Sequence, residues 1–146
     1  MPLSSLLSFA HLVGLALGVG SATVKLSLVL RCSADPGFLP TYMQVARPIT
    51  RTIILGMILL TLSGLGWVLL GYPLTPRLIV KIAMVAALWV MGPVIDNVVE
   101  PRFRTLAGAT GEARTLAFIR IQRQYLALEI TATFLFYIIM IVWILG

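Results

Sequence analysis

Charge is what this chain lacks most. Of its 146 residues only 11% are charged while 60% are apolar, and the mean hydropathy is +1.03. Soluble domains carry about 25% charged residues, so a water-facing surface of ordinary extent cannot be covered here, and most of the surface must face lipid. The single cysteine, Cys32, excludes an intramolecular disulfide and a cysteine-cluster metal site. The single histidine, His11, excludes paired-histidine ligation within one subunit. No phosphate loop, zinc-ligand spacing, catalytic carboxylate pair or nucleophile constellation is present, so the sequence leaves enzymatic activity undecided. No nucleic-acid-binding motif accompanies the basic excess of eleven Lys and Arg over five Asp and Glu. Membrane topology and anionic lipid account for that excess instead.

Four apolar stretches satisfy the spanning length of roughly 20 residues. They run from about 3 to 30, 52 to 70, 78 to 99 and 126 to 145. The start of the chain has no basic segment before its first apolar stretch, so that stretch reads as a retained helix. Asp35-Pro36-Gly37, with Pro40 and Pro48 beyond, predicts a turn-rich first loop. Gly71-Tyr72-Pro73 closes the second span, and the short link to Arg77 predicts a hairpin of spans two and three. Pro101 is expected to end the third span. After Gly108–Gly111, a helical pattern resumes at Glu112 and runs into the last span, predicting a helical extension over about 112–125. Helix to Gly146 would be about 50 Å long. The expected architecture is all-α: one domain, residues 1–146, an antiparallel four-transmembrane-helix bundle.

Lys and Arg set the orientation. Arg31, Arg47 and Arg51 border the first loop, and Arg102, Arg104, Arg114, Arg120 and Arg123 the third. The second link has only Arg77 and Lys81. Loops one and three are therefore expected in the cytoplasm. Both termini would be non-cytoplasmic, in a multi-pass protein of the inner (plasma) membrane.

Ionisable residues inside spans are expensive and face the bundle interior. Helical spacing puts His11, Gly14, Gly18, Ala22 and Lys25 on one stripe. Lys25, Arg51, Asp96 and Glu129 fall near one level toward the cytoplasm, two bases and two acids that can neutralise one another as a structural ion network or line a proton or ion path. Toward the other side, His11 lies about 12 Å below the surface. It reads either as a histidine hydrogen-bonded to a neighbouring helix or as an axial ligand of haem b. In the second case Gly14 and Gly18 leave room for the ring, and Lys81 and Arg77 meet the propionates or Lys81 takes the sixth position. Trp67, Tyr72 and Trp143 form an aromatic belt near that interface.

His11 early in span one, Arg47 and Arg51 opening span two, Gly64 and Gly66 closing it, and Lys81 starting span three form a sparse pattern over most of the chain. It resembles the small bacterial four- to five-span families around HemJ-type protoporphyrinogen oxidase and CopD-type copper-resistance membrane domains. The HemJ-type resemblance implies a haem b bundle with functional roles for His11 and Lys81. That family's Tyr-Leu-Pro-Arg run after the histidine is missing, and Lys25 sits in that stretch, so the resemblance does not carry over the oxidase activity. Three functions remain open: a haem b protein with a redox role, a non-catalytic accessory subunit of a larger membrane complex, and a small transporter or channel. Any pore in the last case would need a homo-oligomer. The expected partners are the lipid bilayer and further membrane subunits or copies of the chain, and no nucleic acid.

Overall fold

The computed structural model describes residues 2–107 and 116–144. It is an all-α bundle, with four helices long and apolar enough to cross a membrane, and the chain is a multi-pass membrane protein. Helix α1 spans Leu3–Ala34, α2 Leu39–Leu69, α3 Pro76–Val94, α4 Glu100–Ala107 and α5 Leu116–Ile144. The start of α1 and the end of α5 lie at one end, the terminal end; the α1–α2 connection, the end of α4 and the start of α5 lie at the other, the loop end. The expected helix start at Glu112, the Gly108–Gly111 link, Arg114 and the Trp143 side chain fall outside what is described.

Prolines account for the departures from the expected boundaries. The first loop contracts to Asp35 and one tight turn, Pro36–Phe38, in which the Asp35 carboxylate accepts from the Gly37 N–H at 2.9 Å. Pro40 falls in the first turn of α2, where a missing N–H costs nothing. Pro48 lies inside α2, not in a loop. Likewise Pro101 does not end the third span. The backbone widens into one π-turn, Ile95–Val99, where the Glu100 N–H reaches the Ile95 carbonyl, and then continues as α4. Pro101 has no N–H for the Asn97 carbonyl and its ring would crowd that oxygen; a wider turn relieves both problems. Glu100 and Arg104 are thereby kept inside the bundle.

At the terminal end, Gly71 closes α2 with φ +90°. Its N–H bonds the Val68 carbonyl and the Tyr72 N–H bonds the Trp67 carbonyl, a Schellman closure that favours glycine at this position. Pro76 opens α3, capped by the Thr75 hydroxyl accepting from the Leu78 N–H at 3.3 Å. The expected hairpin is connected but not packed. α2 lies along α1, α3 lies along α5, and α1 and α5 join the two pairs. α2 and α3 scarcely touch, and a Trp89 Nε1 to Thr61 Oγ1 bond of 3.0 Å links them. The bundle is therefore open on its α2–α3 side.

α1 and α2 approach most closely at their glycines. A Cβ added at Gly56 would sit 2.3 Å from the Gly18 nitrogen and 2.9 Å from the Gly14 carbonyl oxygen. Bare backbone against bare backbone is the small-residue packing of membrane helices, where dispersion replaces the hydrophobic effect as the attractive force.

Candidate functional site

The most polar buried region lies toward the loop end. Lys25, nine residues from the end of α1, is only 2% exposed. Its ammonium stands 2.7 Å from Glu129 Oε1, 3.4 Å from Asp96 Oδ1 and 3.6 Å from Glu100 Oε2. Asp96 and Glu100 project together because they lie one turn apart across the π-turn. Arg104, one turn further, forks Glu100 Oε1 with Nε at 2.9 Å and Nη2 at 2.6 Å. Its remaining arm, Nη1, donates to the Met43 carbonyl of α2 at 3.0 Å. That oxygen adjoins the Gln44 carbonyl, which Pro48 leaves without its helical donor.

Two buried tyrosines extend the cluster. Tyr125 donates its hydroxyl proton to Glu100 Oε2 at 3.2 Å. With that proton committed, Tyr125 accepts from the hydroxyl of Tyr42, its short-range partner on α2. The Tyr125 ring also lies 5.8 Å from the Lys25 ammonium, within cation–π range. Phe103 stacks on Tyr125 at 5.2 Å and Phe118 on Phe103 at 5.6 Å, closing an aromatic layer around the charges. The cluster thus joins four helices and the π-turn: Tyr42 from α2, Lys25 from α1, Asp96 from the π-turn, Glu100 and Arg104 from α4, Tyr125 and Glu129 from α5. Beside it opens a cavity of about 220 Å³ lined by Arg47, Thr50, Arg51, Asp96, Glu100 and Arg104.

Of the four residues assigned to an ion network, Lys25, Asp96 and Glu129 meet. Arg51 does not join them. It is exposed on α2, and no carboxylate among the described residues lies within salt-bridge distance of it. Its expected place is taken by Arg104. Glu100 was missed because a span ending before Pro101 puts it in a loop. The spacing of Asp96, Glu100 and Arg104 at i, i+4 and i+8 was the available signal.

At the terminal half, His11 Nδ1 bonds the Ser63 hydroxyl of α2 at 2.9 Å. Ser63 is 2% exposed and gives its proton to the Leu59 carbonyl at 2.6 Å, so it accepts from the His11 Nδ1–H. Lys81 lies near enough to His11 for their charges to interact, with Arg77 beyond it. A cavity of about 590 Å³ is lined by Tyr72, Arg77, Lys81 and Val142. The glycines do not fit the role expected of them. The room beside Gly14 is filled by the α2 backbone at Gly56 and Leu60, and Gly18 faces the same helix and Phe136. A porphyrin cannot lie along that stripe, and Gly14 and Gly18 are helix-packing residues. Among the described residues no hydrogen bond reaches His11 Nε2, and a second partner fixing Nδ1 is how ligating histidines are commonly oriented.

No family model, curated protein or solved structure matches this chain.

Proposed function

We propose that this chain is a proton-handling membrane protein whose Lys25 cluster takes up and releases one proton, or one monovalent cation in its place. The observation that carries this reading is the set of three carboxylates within 3.6 Å of one buried ammonium. Among the described residues, Arg104 adds the only other positive charge in salt-bridge contact with them. Three acids against two bases leave one negative charge where water is largely excluded. Such a charge is strongly disfavoured at low dielectric, and closely spaced carboxylates share a proton for that reason. The cluster becomes neutral on gaining one proton. Asp96, with a side chain 24% exposed, is the more open of the two carboxylates that line the adjoining cavity. A proton from water there adds to a carboxylate oxygen and is held between Asp96, Glu100 and Glu129; release returns it by the same route. π-turns recur at functional sites in helices, and Asp96 stands in this one.

The basic residues of the loop end favour placing that end in the cytoplasm, with the terminal end outside, so exchange would occur with the cytoplasm. A cysteine introduced at Pro73 in a Cys32→Ser background should be labelled by impermeant reagent from the outside only. Labelling solely from the inside would reverse the orientation.

Infrared difference spectroscopy on reconstituted protein tests the proton reading. A protonated carboxyl stretch that titrates reversibly with pH is expected in the wild type, and it should be lost or displaced in Glu129→Gln. A spectrum without that band at any pH, together with no proton or cation uptake, would make the cluster a static ion pair.

A second reading keeps haem b at the terminal end on His11 Nε2, toward Lys81 and Arg77. Its support is the fixed Nδ1 and the nearby lysine. When bound, haem would supply one-electron redox chemistry there. Protein purified with ample haem supply should then show a Soret band that His11→Ala removes; its absence from the wild type would end this reading.

A further inference from the structure

We propose that the cavity between α2 and α4 binds the phosphate of an anionic phospholipid, with an acyl chain lying along the open α2–α3 side of the bundle. Arg47 and Arg51 stand one turn apart on α2 and both line the cavity. Among the described residues neither has a carboxylate within salt-bridge distance. The three other charges of the cavity wall are engaged: Asp96 with Lys25, and Glu100 with Lys25 and Arg104. Against the single negative charge left in the cluster, these two guanidinium forks keep a net positive charge at the cavity, on the side chain best matched to a phosphate. Between them the Thr50 hydroxyl oxygen is buried without a hydrogen-bond partner, and a phosphate oxygen would satisfy it as acceptor. A volume of about 220 Å³ takes a phosphate group and leaves most of a lipid outside.

The remainder of the ligand is indicated by what continues from the cavity. Below Arg51, the residues Ile54, Leu55, Ile58 and Leu62 follow at helical spacing on one face of α2, and they are 40%, 50%, 39% and 60% exposed. Because α2 and α3 scarcely touch, this apolar face runs directly from the cationic mouth toward the membrane interior. A charged head with an apolar tail fits this continuity; free phosphate uses only the mouth. The inference does not depend on proton exchange, since Arg47 and Arg51 lie outside the ion-pair cluster.

Native mass spectrometry of the protein extracted from vesicles of equal phosphatidylglycerol and phosphatidylcholine tests it. Phosphatidylglycerol should be retained preferentially. Each arginine near an anionic headgroup contributes about 1 kcal/mol, so Arg47→Gln should lower retention about fivefold and the Arg47→Gln/Arg51→Gln pair roughly 25-fold. Arg123→Gln, on exposed α5 surface, should change nothing, and Thr50→Val should weaken binding without altering charge. Unchanged helix content by circular dichroism establishes that each variant is folded. Equal retention of the two lipids, or wild-type retention by the double variant, would overturn the proposal. Displacement of the lipid by millimolar inorganic phosphate, binding as tightly alone, would make the cavity a free-phosphate site and overturn the lipid assignment.

Discussion

Toward the terminal end, α1 meets α2 through bare backbone, Gly14 and Gly18 against Gly56, with no room for a further atom at Gly14 or Gly56. Toward the loop end, the same α1 meets α4 and α5 through a lysine surrounded by carboxylates, tyrosines and an arginine. The first contact depends on shape and is indifferent to charge. The second depends on charge and has flexible side chains that adjust to small changes in shape. Lipid tails are as apolar as leucine, so neither contact gains from water release as a soluble core would. The bundle is held by close fit at one level and by electrostatics at another, and each should fail to its own kind of substitution.

The largest effect is expected from Lys25→Met, which strands Asp96 and Glu129 and leaves Glu100 to Arg104 and Tyr125. Removing one partner of a buried ion pair costs about 3–5 kcal/mol, to be read as a lowered midpoint in detergent-denaturant unfolding. Lys25→Met with Glu129→Gln should recover part of that loss; strict additivity would mean that the two side chains do not act on each other. Next comes Gly56→Ala. Overpacking against the Gly18 backbone should cost about 1–3 kcal/mol, whereas Gly64→Ala, with nothing within 4 Å of its added Cβ, should stay within about 0.5 kcal/mol of wild type. Equal tolerance at the two glycines would remove the distinction between the ends. Tyr42→Phe deletes one hydrogen bond of the tyrosine relay and should cost about 1 kcal/mol. Ser63→Ala should have the smallest effect, about 1 kcal/mol or less, because His11 is only half-buried and its N–H can turn toward other acceptors. A charge-preserving reshuffle such as Asp96→Glu should be tolerated near Lys25, while no side-chain addition should be tolerated at Gly56.

The four spans were legible because apolar runs of this length have few alternatives. The meeting of Lys25, Asp96 and Glu129 followed from depth alone, since helical rise converts residue number into level. What depth cannot convey is the side on which a helix meets its neighbour. Arg51 was placed in the network for its level, yet α2 turns it toward the cavity mouth while Arg104 supplies the charge. The stripe of Gly14 and Gly18 was recognised as a close-approach surface, but sequence could not distinguish a flat ligand from a second helix. Its counterpart, Gly56, is a lone glycine without a repeat to mark it. Pro48 and Pro101 both read as helix stops in the sequence yet lie inside helices, because a ring that stops a helix in water is accommodated in a long apolar helix, at Pro101 by a local change of pitch.

The widened turn at Ile95–Val99 also bears on how the chain can change in length. A π-turn holds one residue more than the α-helix around it needs. Elsewhere in α3, loss of a residue such as Ala86 would rotate everything beyond it by about 100° and swing Glu100 and Arg104 away from Lys25. Loss of Val98 would instead let the backbone fall back to ordinary α-helix, with the two flanks keeping their mutual phase and only the crowding of Pro101 returning. The polar cluster is thus buffered against a one-residue deletion at the very segment that carries Asp96, and against no such deletion in the rest of that helix.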